Sequence, residues 1–233
     1  MRIALISDLH ANAVALAALS DVLESADRVV CLGDVVGYYC QVNETIELLR
    51  RYDPLCVLGS HDWFLLRRRY SHLPDSVRFG LEYAERVITP ENRRWLAEIP
   101  HIWGGEMGEI SCLFVHGSPW QPIKHYLYAD SPLLNRLDEF DYDLIAFGQT
   151  HRPFLSMDGR PLLINAGSVG QSRDERFLGC ACAVICETAD LSAEPIERRY
   201  DMQAVVDEAL SRGAGEWAAK FLPSAIAERS GVR

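Results

Sequence analysis

Met1-Arg2-Ile3-Ala4-Leu5-Ile6-Ser7-Asp8-Leu9-His10 opens the chain, and its reading decides the fold. Residues 2–7 form a short apolar run that reads as a buried strand, and the run gives way at once to a carboxylate and an imidazole. The following residues, 13–24, are strong helix formers and predict a helix, with Asn12 as its N-cap. The same design continues with a strand over 28–32, a helix over 42–51 and a strand over 54–58. Strand–helix–strand alternation implies parallel pairing with right-handed crossovers. Open sheets of that kind place their chemistry where a strand ends and its loop begins.

Four more blocks sit at such points: Gly33-Asp34, Gly59-Ser60-His61-Asp62, Val115-His116-Gly117 and Gly148-Gln149-Thr150-His151. Each follows an apolar, strand-like run, and together with Asp8-Leu9-His10 they suggest convergence on one metal site. In extended backbone Asp8 and His10 would share a side and reach one ion. Gly33 lets backbone approach closely, and the two oxygens of Asp34 could bridge two ions. Of the seven histidines, His10, His61, His116 and His151 fall inside these blocks. His72 and His101 read as surface residues, and His125 is left open between site and surface.

Residues 63–99 read as helical, with a helix start at Thr89-Pro90-Glu91. Strand-like runs follow at 110–115, 143–147, 161–165, 179–186 and 195–199, with a turn at Met157-Asp158-Gly159-Arg160-Pro161 and helices over 131–139 and 202–212. The closer spacing of these strands predicts a second, more antiparallel sheet packed on the first, within one domain spanning 1–233.

Hydrophobic residues make up 48% of the chain, which excludes a disordered polymer. The net charge of -10 repels a nucleic-acid backbone, so no polynucleotide partner is expected. Phosphate chemistry on such a protein needs local positive charge, which bound metal ions would supply. The first apolar run is too short for a signal peptide and no stretch is long enough to span a bilayer, so no membrane partner is expected. The seven cysteines, an odd number, lie mostly in apolar runs, which points to core packing in a reducing cytoplasm. Cys180, Cys182 and Cys186 would share one strand face, but without a Cys-x-x-Cys pair they read as core. The run Arg67-Arg68-Arg69 reads as a solvated helix surface.

The five blocks, in their order and strand context over residues 1–170, resemble the calcineurin-like metallophosphoesterase superfamily. Residues 34–50 and 165–174 resemble its small bacterial and archaeal phosphodiesterase branch. The resemblance implies an α/β fold, a four-layer αββα sandwich of two mixed β-sheets. It also implies a metal-dependent phosphoric ester hydrolase, a phosphodiesterase or phosphatase. Asp8, His10, Asp34 and His151 match the ligands of a first metal. Asp34, Ser60, His116 and Gln149 fall at the positions of a second. His61 matches a residue that contacts the phosphate and assists the leaving group, with Asp62 expected to orient its ring. Two ions roughly 3.5–4 Å apart would acidify a bridging water and hold the phosphoryl oxygens.

Ser60 stands where the family has Asn, and Gln149 where it has His; both changes strike the second metal position. Three accounts stay open: a second ion held through water at Ser60 and the Gln149 amide oxygen, a single-ion site, or a fold kept as a binding surface. Mn²⁺ is the expected ion, with Fe, Mg²⁺, Ni²⁺ and Zn²⁺ as alternatives. The leading function is hydrolysis of a small soluble phosphodiester or phosphomonoester, a nucleotide among them. Alternatives are a dinucleoside polyphosphate hydrolase, a protein phosphatase, or a non-catalytic scaffold resembling the retromer subunit of the same superfamily. Between His116 and residue 143, Trp120, Lys124, His125, Tyr126 and Tyr128 would either meet substrate or pack the loop. Arg173 would approach a phosphate or pair with Asp174, and Tyr38 would form a pocket wall.

Overall fold

The computed structural model describes residues 1–221 apart from 157, 158 and 160. The turn expected at Met157–Pro161 therefore lies partly outside the described residues.

Strand β1 (Arg2–Ile6) shows how the sequence builds layers. Alternate residues of a strand point to opposite faces. Ile3 and Leu5 face the second sheet, whereas Ala4 and Ile6 face a helical layer. Both faces are covered, so the strand is apolar throughout, as buried parallel strands are. β2 (Arg28–Cys31) and β3 (Leu55–Cys56) extend the sheet in parallel. On β1's other side, β9 (Cys180–Glu187) and β10 (Ser192–Arg199) join antiparallel, giving the order β10-β9-β1-β2-β3. The second sheet runs β4-β5-β6-β8-β7. Its members are β4 (Ile102–Met107), β5 (Ile110–Val115), β6 (Leu144–Phe147), β7 (Phe154–Ser156) and β8 (Leu162–Asn165).

Both sheets are mixed, and they pack face to face through Val30 and Leu32 on one side and Phe114, Leu144 and Ile164 on the other. Helices α1 (Ala13–Ala18), α3 (Val42–Arg50), α4 (Ser60–Arg67), α5 (Asp75–Val87) and α6 (Pro90–Ala97) contribute to the layer outside the first sheet. Between α1 and α3, α2 (Ser20–Glu24) belongs to the same layer. A 3₁₀ helix, Pro132–Phe140, places Leu137 against Ile145 and Phe147 outside the second sheet. The αββα sandwich is thereby realised.

Several expectations are corrected. The second sheet is not the antiparallel one: its β5-β6-β8 centre is parallel, and the closely spaced strands β9 and β10 return to the first sheet. β4 was not foreseen because an edge strand with exposed alternate residues carries little apolar signal. The three-residue β7 was equally invisible. The stretch 63–99 is three helices, the first ending at Arg68 in left-handed backbone (φ 53°). The expected caps form: Asn12 Oδ1 accepts from Ala15 N at 3.0 Å, and Thr89 Oγ1 from Asn92 N at 3.2 Å. No helix among the described residues is long and apolar enough to cross a membrane.

Candidate metal centre

All five blocks lie beyond the carboxyl ends of parallel strands: β1, β2 and β3 in one sheet, β5 and β6 in the other. The backbone there is unusual. Asp8, His10, Ala11, Asp34, Gln149 and His151 all adopt positive φ, between 51° and 66°. Left-handed backbone costs about 1–2 kcal/mol per non-glycine residue and persists only when the surroundings impose it. Hydrogen bonds between the loops impose it here. Asp8 N donates to Gly33 O, His10 N to Asp34 O and Ala11 N to Val35 O, each at 2.9 Å. The side chains of Asp8 and His10 are therefore brought together by a curled loop and not by the extended backbone expected.

Asp8, His10, Asp34 and His151 are buried and offer ligand atoms all within 4.8 Å of one another. His10 Nε2 lies 3.8 Å from Asp8 Oδ1 and 3.9 Å from Asp34 Oδ2, and His151 Nε2 lies 3.3 Å from Asp8 Oδ1. His116 Nε2 lies 3.3 Å from Asp34 Oδ2 and 4.0 Å from Asp8 Oδ1. In each ring Nδ1 faces a backbone carbonyl: Val36 O for His10 at 3.3 Å, Leu32 O for His116 at 2.7 Å, Gln171 O for His151 at 2.6 Å. A carbonyl only accepts, so Nδ1 carries the hydrogen and Nε2 presents its lone pair inward. His10 Nε2 and His151 Nε2 then face each other at 3.0 Å, lone pair to lone pair. Asp8 Oδ1, His116 Nε2 and Gln149 Oε1 are buried there without hydrogen-bond partners. Unpaired acceptors so close are costly unless a cation joins them. The donor set fits divalent metal.

Without metal the electrostatics separate the rings: His10 is held neutral, whereas Asp34 draws His116 to its charged form, which must release the Nε2 proton to ligate an ion. Burial, with His151 and His61 nearby, lowers the His10 pKa well below the ordinary imidazole value. Burial alone would lower His116 too, but the Asp34 carboxylate outweighs it and raises the group to about 9. Burial opposes ionisation of Asp34, yet His116 and His61 hold its pKa well below the ordinary carboxylate range.

Ser60 and Gln149 are beside this group. Ser60 Oγ donates to Asp34 Oδ2 at 3.2 Å. The Gln149 amide donates to Ile123 O at 3.1 Å, which leaves Oε1 over Gly117, next to His116. His61 is anchored by its backbone N–H, which donates to Asp34 Oδ1 at 2.7 Å. Its ring crosses that of His10 with centroids 4.7 Å apart, and burial lowers its pKa to about 4. Gly37 (φ 108°) makes room, since a Cβ there would overlap His61 Nδ1.

Asp62 does not orient that ring. Its oxygens accept instead from Val35 N at 3.2 Å, Val36 N at 3.0 Å and Gly59 N at 3.0 Å. The residue ties the start of α4 to the Asp34 loop, and burial, with Asp34 adding to it, pushes its carboxyl pKa up.

Tyr38 and Arg173 come together beside the His10 ring. Tyr38 stacks edge-on against His10 with centroids 4.6 Å apart, and Arg173 Nη2 donates to its hydroxyl at 2.8 Å. Asp174 pairs with Arg176 and not with Arg173. Lys124 is exposed, and His125 Nδ1 meets Ser118 Oγ at 2.8 Å; neither contacts the Asp–His cluster in the described contacts. Trp120 packs against Phe140 and Arg136, the packing alternative stated for it. His72 and His101 are exposed, as expected. One organising residue had no role assigned from sequence. Asn165, fully buried, donates to Gly148 O at 2.8 Å and Thr150 Oγ1 at 3.1 Å and accepts from Gly167 N, so it holds the loop carrying Gln149 and His151. Its signal was an Asn closing an apolar strand.

The sequence pattern of the calcineurin-like phosphoesterase superfamily domain matches residues 1–188. The chain belongs to the calcineurin-like phosphoesterase superfamily. An uncharacterized protein of Methanocaldococcus jannaschii is 31% identical, the match covering 92% of this chain and 94% of that one. The crystal structure of a metallophosphoesterase from Sphaerobacter thermophilus is similar with a TM-score of 0.80 and 28% identity, covering 94% of this chain and 97% of that one. A hypothetical protein of Pyrococcus horikoshii shares the fold with a TM-score of 0.83 at 19% identity, covering 95% and 97%. In this superfamily the Asp8–His10–Asp34–His151 cluster is a candidate site for divalent metal.

Proposed function

We propose that this calcineurin-like phosphoesterase is a cytoplasmic, metal-dependent hydrolase of a small soluble phosphodiester or phosphomonoester, with nucleotides among its substrates. The observation that carries the reading is the pair of inward-facing lone pairs on His10 and His151, 3.0 Å apart beside Asp8 and Asp34. Asp8, His10, Asp34 and His151 would hold one ion; Asp34, His116, the Gln149 amide oxygen and, through water, Ser60 would hold another. Bound divalent ions supply an acidified water and charge stabilisation for an in-line displacement. Oxygen donors at the second position favour Mn²⁺ or Mg²⁺ over softer-ligand metals.

The chain's own residues do the rest. His61 stands beside Asp34 with Nδ1 buried against Gly37, and its other ring nitrogen, Nε2, would contact a phosphoryl oxygen and assist the leaving group. Asp62 is a positioning residue that fixes the His61 helix against the Asp34 loop. Arg173, held by Tyr38, presents a guanidinium for the phosphate. The seven buried, unbridged cysteines fit a reducing compartment.

A single-ion reading has one observation in its favour: Ser60 Oγ already donates to Asp34 Oδ2 and is a poor neutral ligand. Metal content per chain separates the two readings, two ions against one. The function itself is tested by hydrolysis of bis(p-nitrophenyl) phosphate after metal stripping and Mn²⁺ addition, with Asp34→Asn as control. Metal-dependent turnover absent from the control is the expected result. Turnover no greater than the control's would overturn it and advance the scaffold alternative.

A further inference from the structure

The run Arg67-Arg68-Arg69 does not behave as a uniform solvated surface. The left-handed cap at Arg68 (φ 53°) turns the chain, and Arg68 alone of the three pairs with a carboxylate, Glu85 at 2.6 Å. Arg67 and Arg69 instead line two cavities of about 560 and 530 Å³ that share Trp63 and His101 as a common wall. Arg94 lines the first cavity and Lys124 the second. No carboxylate lines either, and none of Arg67, Arg69, Arg94 or Lys124 forms a salt bridge among the described residues. Unpaired cations gathered in one groove of a chain with net charge -10 are a local reversal of the molecule's field.

The second cavity is linked to the metal centre through Ile123. Ile123, beside Lys124 in the groove wall, accepts through its carbonyl the amide hydrogen bond that orients Gln149. A substrate lying across this wall would meet the metal centre at one end and the cations at the other.

We propose that this groove is a second-anion subsite and that the substrate class is phosphoesters carrying another phosphoryl group away from the scissile bond. Arg69 and Lys124, in the cavity that Ile123 links to the centre, take the remote phosphoryl group through charge-assisted hydrogen bonds, and Arg67 and Arg94 beyond the shared wall add to the local positive field. The half-buried Trp63 ring forms the floor over which the connecting part of the molecule passes. The inference rests on the phosphoesterase reading and names the substrate class for it.

A matched pair of esters tests it: thymidine 5′-(p-nitrophenyl phosphate) and the same molecule with a 3′-phosphate, assayed on the Mn²⁺-loaded full chain. The KM for the 3′-phosphorylated ester should be about tenfold lower, and the ratio should fall towards one in Arg69→Gln/Arg94→Gln. Lys124→Gln, at the other side of the groove, should reduce the ratio in part. Equal KM values in the unmodified chain, with turnover present, would overturn the subsite and leave the phosphoesterase reading standing. Turnover of neither ester would instead count against the phosphoesterase reading. Calorimetric titration with inorganic tripolyphosphate then decides the groove alone. Binding kept in Asp34→Asn and lost in Arg69→Gln/Arg94→Gln supports an anion site; absence of binding in the unmodified chain overturns it.

Discussion

On one side of Asp34 stand Asp8, His10 and His151, all in left-handed backbone, all buried and offering a carboxylate and two imidazoles. On the other side stand Ser60, His116 and Gln149, which offer one imidazole and two neutral oxygen side chains, one of them already bonded to Asp34. The first half is a complete donor set; the second is sparser and harder in character. Strained backbone is concentrated in the first half because three separate loops must curl inward to converge there. The second half is held more by side-chain bonds, such as Gln149 to Ile123, and is accordingly easier to alter without refolding the loops.

The largest effect should come from the residue shared by both halves. Asp34→Asn should lower kcat by roughly 10³-fold or more and leave at most one ion per chain by elemental analysis. Unchanged metal content would break the comparison, since Asp34 would then not join the halves. His61→Ala should cost roughly 10²–10³-fold in kcat while metal content is kept, because in the proposed reading the residue would touch substrate and not ions. Loss of ions along with activity would move His61 into the metal-holding group.

A gain is expected where the second half is made to resemble the first. Ser60→Asn with Gln149→His should tighten the second ion by about tenfold and shift its preference towards Zn²⁺, read by metal titration. If activity with Mn²⁺ falls as affinity rises, the sparse half is adapted to its own chemistry. The smallest effect is structural. Asn165→Ala should leave Gly148 O and the Gly167 N–H without their side-chain partner, at about 2 kcal/mol, lowering Tm by roughly 4–8 °C. Loss of ions in that variant should follow Gln149 and His151, the two residues of the loop it holds.

The strand β1 and the polar residues that end it were legible because parallel strands buried on both faces are uninterrupted apolar runs. Asn12 and Thr89 were legible as caps because a side-chain oxygen before a helix has one local job. The edges β4 and β7 were not, since a short or half-exposed strand is defined by its partner and not by its own residues. Asp62 was misassigned for a similar reason. Its proximity in sequence to His61 suggested one contact, but the helix turn aims its carboxylate at the backbone of residues 35, 36 and 59.

The sequence by itself determined the apolar strands, the residue types that end them and thus the chemistry available: carboxylates and imidazoles at five strand ends. Those are properties of short segments, set by side-chain burial and by spacing along the chain. Only the tertiary structure decided which nitrogen of each histidine faces inward, which half of the centre is complete, and that Arg67 and Arg69 share a groove with Arg94 and Lys124. Each of those depends on contacts between residues far apart in the chain, where hydrogen bonds to distant carbonyls and a single left-handed turn set directions that no local pattern encodes.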